Sequence, residues 1–255
     1  MNSNTETLVS LVLTTFNSEE NIGKTLDSIF EQDYPHIEIV VKDGGSTDAT
    51  EEIVRKYIQG RRYPIIFESR QDTGIYDAMN QGYAMAHGDV IAFFNDRFLR
   101  RDAVSTMVSA INKEQADGVH ADLVYMDGEK VVRYWHMGTG KIRQGWMPGH
   151  PTLFLKRDIY EKYGLYKTDY KISADYEFMV RILKDDRVKL AYVPSIIIGM
   201  YYGGTSSAGL GSYWLSLKEA IRGLRENGVS FPVFISFKRT IKLFMQFIRA
   251  SHTEI

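Results

Sequence analysis

Along the first part of the chain, short apolar runs alternate with stretches in which apolar residues recur every three or four positions. Leu8 to Leu13 is almost wholly apolar, as expected of a strand buried on both faces, and it ends in the polar turn Thr14-Thr15-Phe16-Asn17. The spacing of Ile22, Leu26, Ile29 and Phe30 predicts a helix, with Ser18 as its N-cap and Glu19 and Glu20 at its positive end. A second strand, Ile37 to Val41, runs into Asp43-Gly44-Gly45-Ser46. Asp48 with Glu51 then resembles a capping box for a helix whose stripe is Ile53, Val54, Tyr57 and Ile58. A third strand at Ile65 to Glu68, a helix from Ile75 to Ala86 and a fourth strand from Val90 to Phe94 complete a βαβα alternation, which predicts a parallel sheet flanked by helices.

Polar residues collect just past the strand ends, at Asp43 and at Asn95-Asp96. In open α/β sheets that is where loops and helix N-termini converge on a ligand. Further on, the pattern predicts a helix from Asp102 to Asn112, a hairpin through Asp127-Gly128 and a long loop from Gly138 to Gly149. A strand at Thr152 to Leu155 follows, then helices at Asp158 to Tyr163 and Ala174 to Lys184. The final segment, Phe231 to Ala250, mixes Phe, Ile, Leu and Met with Lys238, Arg239, Lys242 and Arg249 and is too interrupted by charge to span a membrane. It suits a helix lying on an anionic surface, and equally one packed on the core or against a second subunit.

Composition narrows the classes. At 255 residues and 44% hydrophobic content, the chain is long enough for one large α/β domain. We expect one domain over 1–255, in three stretches at about 8–125, about 126–210 and about 211–255, the last of them helical. Lys and Arg number 31 against 32 Asp and Glu, so no basic field favours nucleic acid. With no cysteine, disulfides, thiolate catalysis and cysteine zinc sites are excluded. The opening MNSNTETLVS does not read as a signal peptide, and the expected location is cytoplasmic, peripheral on the membrane if the last segment binds there. No Gly-x-Gly-x-x-Gly follows the first strand, which disfavours a nicotinamide dehydrogenase.

The block VSLVLTTFNSEENIGKTLDSIFEQDYPHIEIVVKDGGSTDAT resembles the opening of the inverting family 2 glycosyltransferases of the GT-A fold, with its strand, Thr/Asn turn, helix, strand and Asp-Gly-Ser-x-Asp turn. ESRQDTGIYDAMNQGYAMAHGDVIAFFND is similar to the family's second block, in the wording of bacterial exopolysaccharide, O-antigen and colanic-acid-type enzymes. GHPTLFLKRDIY, DYKISADYEFMVRIL and YYGGTSS resemble the acceptor half, so the likeness covers about residues 8 to 207.

The resemblance implies a GT-A fold, a Rossmann-like, mostly parallel sheet, and transfer of a sugar from a nucleotide sugar to a saccharide or lipid-linked acceptor in surface polysaccharide biosynthesis. It puts Thr15, Asn17 and Asp43 on the nucleoside, with Asp43 accepting from the base and so favouring uracil and a UDP-sugar. Asp72, Gly74, Asp77 and Asn80 fall beside the ribose, diphosphate and donor sugar, with Asn95 completing the donor pocket. Asp43-Gly44-Gly45 also reads as a plain tight turn, and Asp72 or Thr73 as a helix cap.

After the fourth strand the family has Asn-x-Asp-Asp or Asn-x-Gly-Asp, whose last Asp holds Mg²⁺ or Mn²⁺. This chain reads Asn95-Asp96-Arg97-Phe98, which leaves Asp96 as the metal carboxylate if a one-residue gap is allowed, or Arg97, Arg100 or Arg101 as direct phosphate partners. Asp175 is the implied base for the acceptor hydroxyl, ahead of Glu177, and as an acidic first-turn residue it also suits the helix dipole. His150 is a candidate for phosphate, metal or acceptor, or for a structural role, and Arg181 for diphosphate or a salt bridge. A catalytically silent nucleotide-sugar-binding module is the competing reading, resting on Arg97 and Phe98.

Overall fold

The computed structural model describes residues 6–59, 62–201 and 210–240. Strands β1 (Val9–Thr15) and β2 (Ile37–Asp43) are almost wholly buried, because helices cover both of their faces. Helices α1 (Ile22–Phe30) and α2 (Thr50–Ile58) alternate with β3 (Ile65–Ser69), α3 (Ile75–Met85) and β4 (Val90–Phe93). The chain continues through β5 (Arg97–Phe98), α4 (Ala103–Glu114) and the hairpin β6 (Gly118–Asp127) and β7 (Lys130–Trp135). Then come β8 (Phe154–Lys156), α5 (Arg157–Tyr163), α6 (Ala174–Leu183), β9 (Leu190–Tyr201) and α7 (Leu210–Glu226), and residues 232–240 are helical.

One nine-stranded sheet runs in the order β3-β2-β1-β4-β8-β6-β9-β5, with β7 on β6. β1 pairs in parallel with β2 and β4, and β2 with β3, as the βαβα alternation requires. Beyond β4 the sheet is mixed: β8 is antiparallel to β4 and β6, while β6 and β9 are parallel. Alternation along the strands divides the core. Leu11, Leu13, Ile39 and Val41 pack with α1, α2 and α4, while Val12 and Val40 pack with α3, α5 and α6. A third cluster joins Tyr176 and Val180 of α6 to Ala220 and Leu224 of α7 and to Ile235.

Several boundaries differ from the sequence pattern. Asn21, not Ser18, precedes α1; the Ser18 carbonyl accepts from the Asn21 and Ile22 amides instead. Glu51 pairs with Arg55 one turn on rather than closing a capping box, although Asp48 does accept from Thr50 N. The hydrophobic pattern did not announce β5, and β9, a twelve-residue strand, was concealed by Pro194, which ordinarily argues against a strand. The register against β6 steps from Ala121↔Val193 to Asp122↔Ile196, so the irregularity absorbs Pro194 without ending the strand. No helix among the described residues is long and apolar enough to cross a membrane.

Candidate active site

The parallel register that sets Thr15 beside Asp43 brings the first two loops together at the carboxyl ends of β1 and β2. Asp43 is fully buried there, and its carboxylate accepts from Thr15 Oγ1 (3.0 Å), Gly45 N (3.0 Å), Ser46 N (2.8 Å), Ser46 Oγ (2.5 Å) and Ser69 Oγ (2.7 Å). Burial alone would raise its proton affinity, but these donors outweigh it and hold the carboxyl below the usual range. Asp43 is therefore the keystone of these strand-end loops, and any added contact to its carboxylate needs one of its hydrogen-bond donors to yield. Asn17, at φ 47°, accepts from Thr47 N at 2.9 Å, while its own amide donates to Ser46 Oγ at 2.8 Å. Glu19 and Asp48 reciprocate, each accepting from a backbone N–H of the other's loop. Asn95 closes the third side, bonding Thr14 N (2.9 Å) and Thr14 Oγ1 (3.0 Å). Thr15, Asn17, Asn95, Asn21, Thr25 and Tyr201 help line a cleft of about 190 Å³ at this edge.

The second cluster surrounds the start of α3. Asp72 Oδ1 accepts from Gly74 N at 2.9 Å, and its other oxygen lies so near Gly44 that a Cβ there would meet it at 2.7 Å. Gly74 has φ +132°, with open space where a side chain would project, so bare backbone faces outward at the helix N-terminus. Asp77 Oδ2 accepts from Thr73 N and Oγ1 at 2.9 and 3.0 Å, which lowers its pKa and braces the turn that leads into the helix. Both ends of the Asn80 amide bond the backbone of Tyr166, at 2.8 and 3.0 Å, so this side chain ties α3 to the segment that follows α5. Sequence reasoning passed over Lys42, whose signal was a cation beside Asp43 at the end of an otherwise mostly apolar strand. Lys42 is fully buried; its Nζ donates to the carbonyls of Asp43 (2.7 Å) and Arg70 (2.5 Å) and lies 4.0 Å from Asp72.

At Asn95-Asp96-Arg97-Phe98 the strictly aligned metal position is core: Phe98 is buried and stacks on Phe94 with centroids 4.1 Å apart. Arg97 makes a bidentate pair with Glu129 at 2.8 Å, and Arg100 pairs with Asp102. Asp96 is buried beneath the end of β9, where Tyr201 N donates to it at 3.2 Å. Burial, with that one donor among the described residues, pushes its carboxyl up to about 7. A desolvated, under-donated carboxylate of this kind fits a cation, although among the described residues no group of three or more His, Cys, Asp or Glu side chains stands ready to cage one.

On the acceptor side, Asp175 occupies the first turn of α6, half-buried, and accepts from the Tyr76 hydroxyl at 3.2 Å. Burial, and then the charge of Asp175, push the Tyr76 phenol far up, so it stays a donor. His150 Nε2 and the Tyr166 hydroxyl share a hydrogen bond at 2.8 Å, and the ring stacks on Phe93. Burial lowers the His150 pKa against the opposing charge of Asp175, which favours the neutral imidazole. Glu177 is buried and committed to Arg181 (2.9 Å), Lys167 (3.1 Å) and Asn227 (2.9 Å). Arg181 also donates to the carbonyls of Tyr163 and Leu165, a packing role rather than a phosphate-binding one. Tyr76 was a second omission, although it stands inside the Gly-Ile-Tyr-Asp wording.

Strand-end loops over a parallel half-sheet, joined by a mixed half that carries an acidic helix, make up a GT-A-like fold. The model of "Glycosyl transferase family 2" matches residues 10–179, and the chain belongs to that family. A "PGL/p-HBAD biosynthesis glycosyltransferase" of Mycobacterium tuberculosis is 26% identical over 210 residues, covering 78% of this chain and 79% of that one. An uncharacterised glycosyltransferase of the same species is 31% identical over 189 residues, 68% of each. Among solved structures, S. aureus TarS 1-349 in complex with UDP-GlcNAc aligns with TM-score 0.70 and 19% identity, over 95% of this chain and 79% of that one. The mannosyltransferase PcManGT of Pyrobaculum calidifontis, with GDP-Man and Mn²⁺, aligns with TM-score 0.64 and 17% identity, over 98% and 76%. The protein is thus a glycosyltransferase with the GT-A fold.

Proposed function

We propose that the protein inverts configuration as it moves a sugar from a UDP-sugar to a hydroxyl of a saccharide or lipid-linked saccharide in bacterial surface polysaccharide biosynthesis. The donor belongs to residues 8–125 and the acceptor to 126–210. The observation that carries this reading is the hydrogen bond between Tyr76, on the helix opened by the donor loop at Gly74, and Asp175, at the head of the acceptor helix. A carboxylate that meets the donor half is suited to take the acceptor proton as the acceptor oxygen bonds to C1 and the C1–O bond to the diphosphate breaks, its electron pair leaving with UDP. Tyr76 orients Asp175 and remains protonated. His150, neutral and beside the same carboxylate, suits an acceptor contact more than a phosphate one.

Asp96 is the residue that would hold Mg²⁺ or Mn²⁺, with donor phosphates and water supplying the remaining oxygens; such an ion neutralises charge on the leaving diphosphate. The Asn17, Asp43 and Asn95 loops support nucleoside binding, and Asp72, Gly74 and Asp77 support binding of the diphosphate and sugar. The uracil preference rests on the UDP-bound relatives and on Asp43 as the loop's keystone. The reaction belongs on the cytoplasmic side, with the enzyme peripheral to the membrane.

Two variants test the division of labour. Asp175→Asn should lower transfer by about 10²–10⁴-fold with UDP affinity by calorimetry nearly unchanged, and Asp43→Ala should weaken UDP binding. Near-normal turnover of the first variant would remove Asp175 as base.

A further inference from the structure

The last described helix has two unlike faces. Ile235 and Ser236 are buried, with Ile235 in the cluster that contains Tyr176, the neighbour of Asp175. Arg239 lies 4.4 Å over the Tyr176 ring, and the backbone of this helix approaches Gly145 so closely that a Cβ there would meet Arg239 N at 2.9 Å. The opposite face is uncovered: Phe231 is 78% exposed, Val233 57%, Phe234 56% and Phe237 60%. Together with Pro232 and Arg225 they line an open apolar recess. Trp214 adds a further aromatic surface at 62% exposure, and its neighbour Tyr213 bonds Thr240 at 3.2 Å.

Charge decides what fits this surface. From residue 227 to 253 the sequence carries Lys238, Arg239, Lys242 and Arg249 and no acidic residue, and Lys238 Nζ sits 4.5 Å over the exposed Phe234 ring. A second copy of the chain, meeting this patch through a two-fold axis, would set like charges against each other with no carboxylate to offset them. An anionic bilayer offers acyl chains for the aromatic side chains and phosphates for the cations. Trp and Tyr favour the headgroup boundary between the two.

We propose that the protein docks on anionic lipid through Phe231, Val233, Phe234 and Phe237, with Lys238 and Arg225 at the headgroups. This inference deepens, and rests on, the reading of a peripheral enzyme with a membrane-borne acceptor. Because the inward face of the same helix packs on Tyr176, docking holds the Asp175 end of the molecule toward the bilayer that carries the acceptor.

Sedimentation of the full chain with phosphatidylcholine vesicles, with and without phosphatidylglycerol, tests it. Wild type should co-sediment with the anionic vesicles and be released by high salt, and the exposed-face variant Phe234→Glu/Phe237→Glu should bind about tenfold or more weakly. UDP affinity should be equal in both proteins, which controls for folding. No binding to anionic vesicles, or equal binding by the variant, overturns the proposal, as does a solution dimer that the substitutions dissociate. Vesicle binding by a protein that neither binds nor hydrolyses a UDP-sugar would leave the docking intact and overturn only the UDP-sugar donor.

Discussion

Asp43 and Asp96 are both buried carboxylates at strand ends, and their surroundings push them in opposite directions. Asp43, with its five donors, keeps its charge; Asp96, with one among the described residues, has its carboxyl pKa raised to about 7 from an ordinary 3.8. For Asp96 the folded chain therefore holds a proton that the unfolded chain has released, so unfolding free energy falls as pH rises from about 4 toward about 7. Melting temperatures of wild type and Asp96→Asn between pH 5 and pH 8, without divalent ions, check this. Wild type should lose more stability than the variant across the window, and parallel curves would refute the assignment. These two roles were only partly legible. A short polar residue after an apolar strand is visible in sequence, but the number of donors it meets depends on loops from other strands.

At the scale of elements, the acceptor helix depends on one far along the chain. Ser173 precedes α6 without a side-chain cap, and the turn that leads into the helix is instead held by Glu219 of α7, which accepts from Lys171 N (2.8 Å), Ile172 N (3.0 Å) and Ser173 N (2.9 Å). Hydrogen bonds to a charged group contribute about 1.5–3 kcal/mol each, and less than the sum when shared. Glu219→Ala should therefore destabilise the fold by about 3 kcal/mol and lower kcat while the donor KM holds. Glu219→Gln, which keeps an acceptor oxygen, should recover part of both. A donor KM that rises as kcat falls would show that Glu219 acts on more than the helix carrying Asp175. No local signal pointed to this contact, since residues 171–173 and 219 are linked only by the packing of α7 on α6. The strands and helices of the first hundred residues were legible because their periodicity is written locally, whereas Pro194 hid β9, whose irregular register only β6 could reveal.

At the scale of the molecule, one sheet crosses from the donor loops to the acceptor half, with β8 joining β4 to β6. Shared strands couple the two halves, so calorimetry should give one unfolding transition with equal calorimetric and van't Hoff enthalpies. Two resolved transitions would mean that the halves fold as separate units. The sequence by itself determined the βα alternation, the family and the polar loops at the ends of β1 and β2, because helix and strand periods and turn preferences act over a few residues. Only the tertiary structure decided the pairings across the chain: Tyr76 with Asp175, Asn80 with Tyr166, Glu219 with the start of α6. A side chain declares its capacity to donate or accept, while its partner is set by which elements pack together, and for the Tyr76 pair that contact spans 99 positions of the chain.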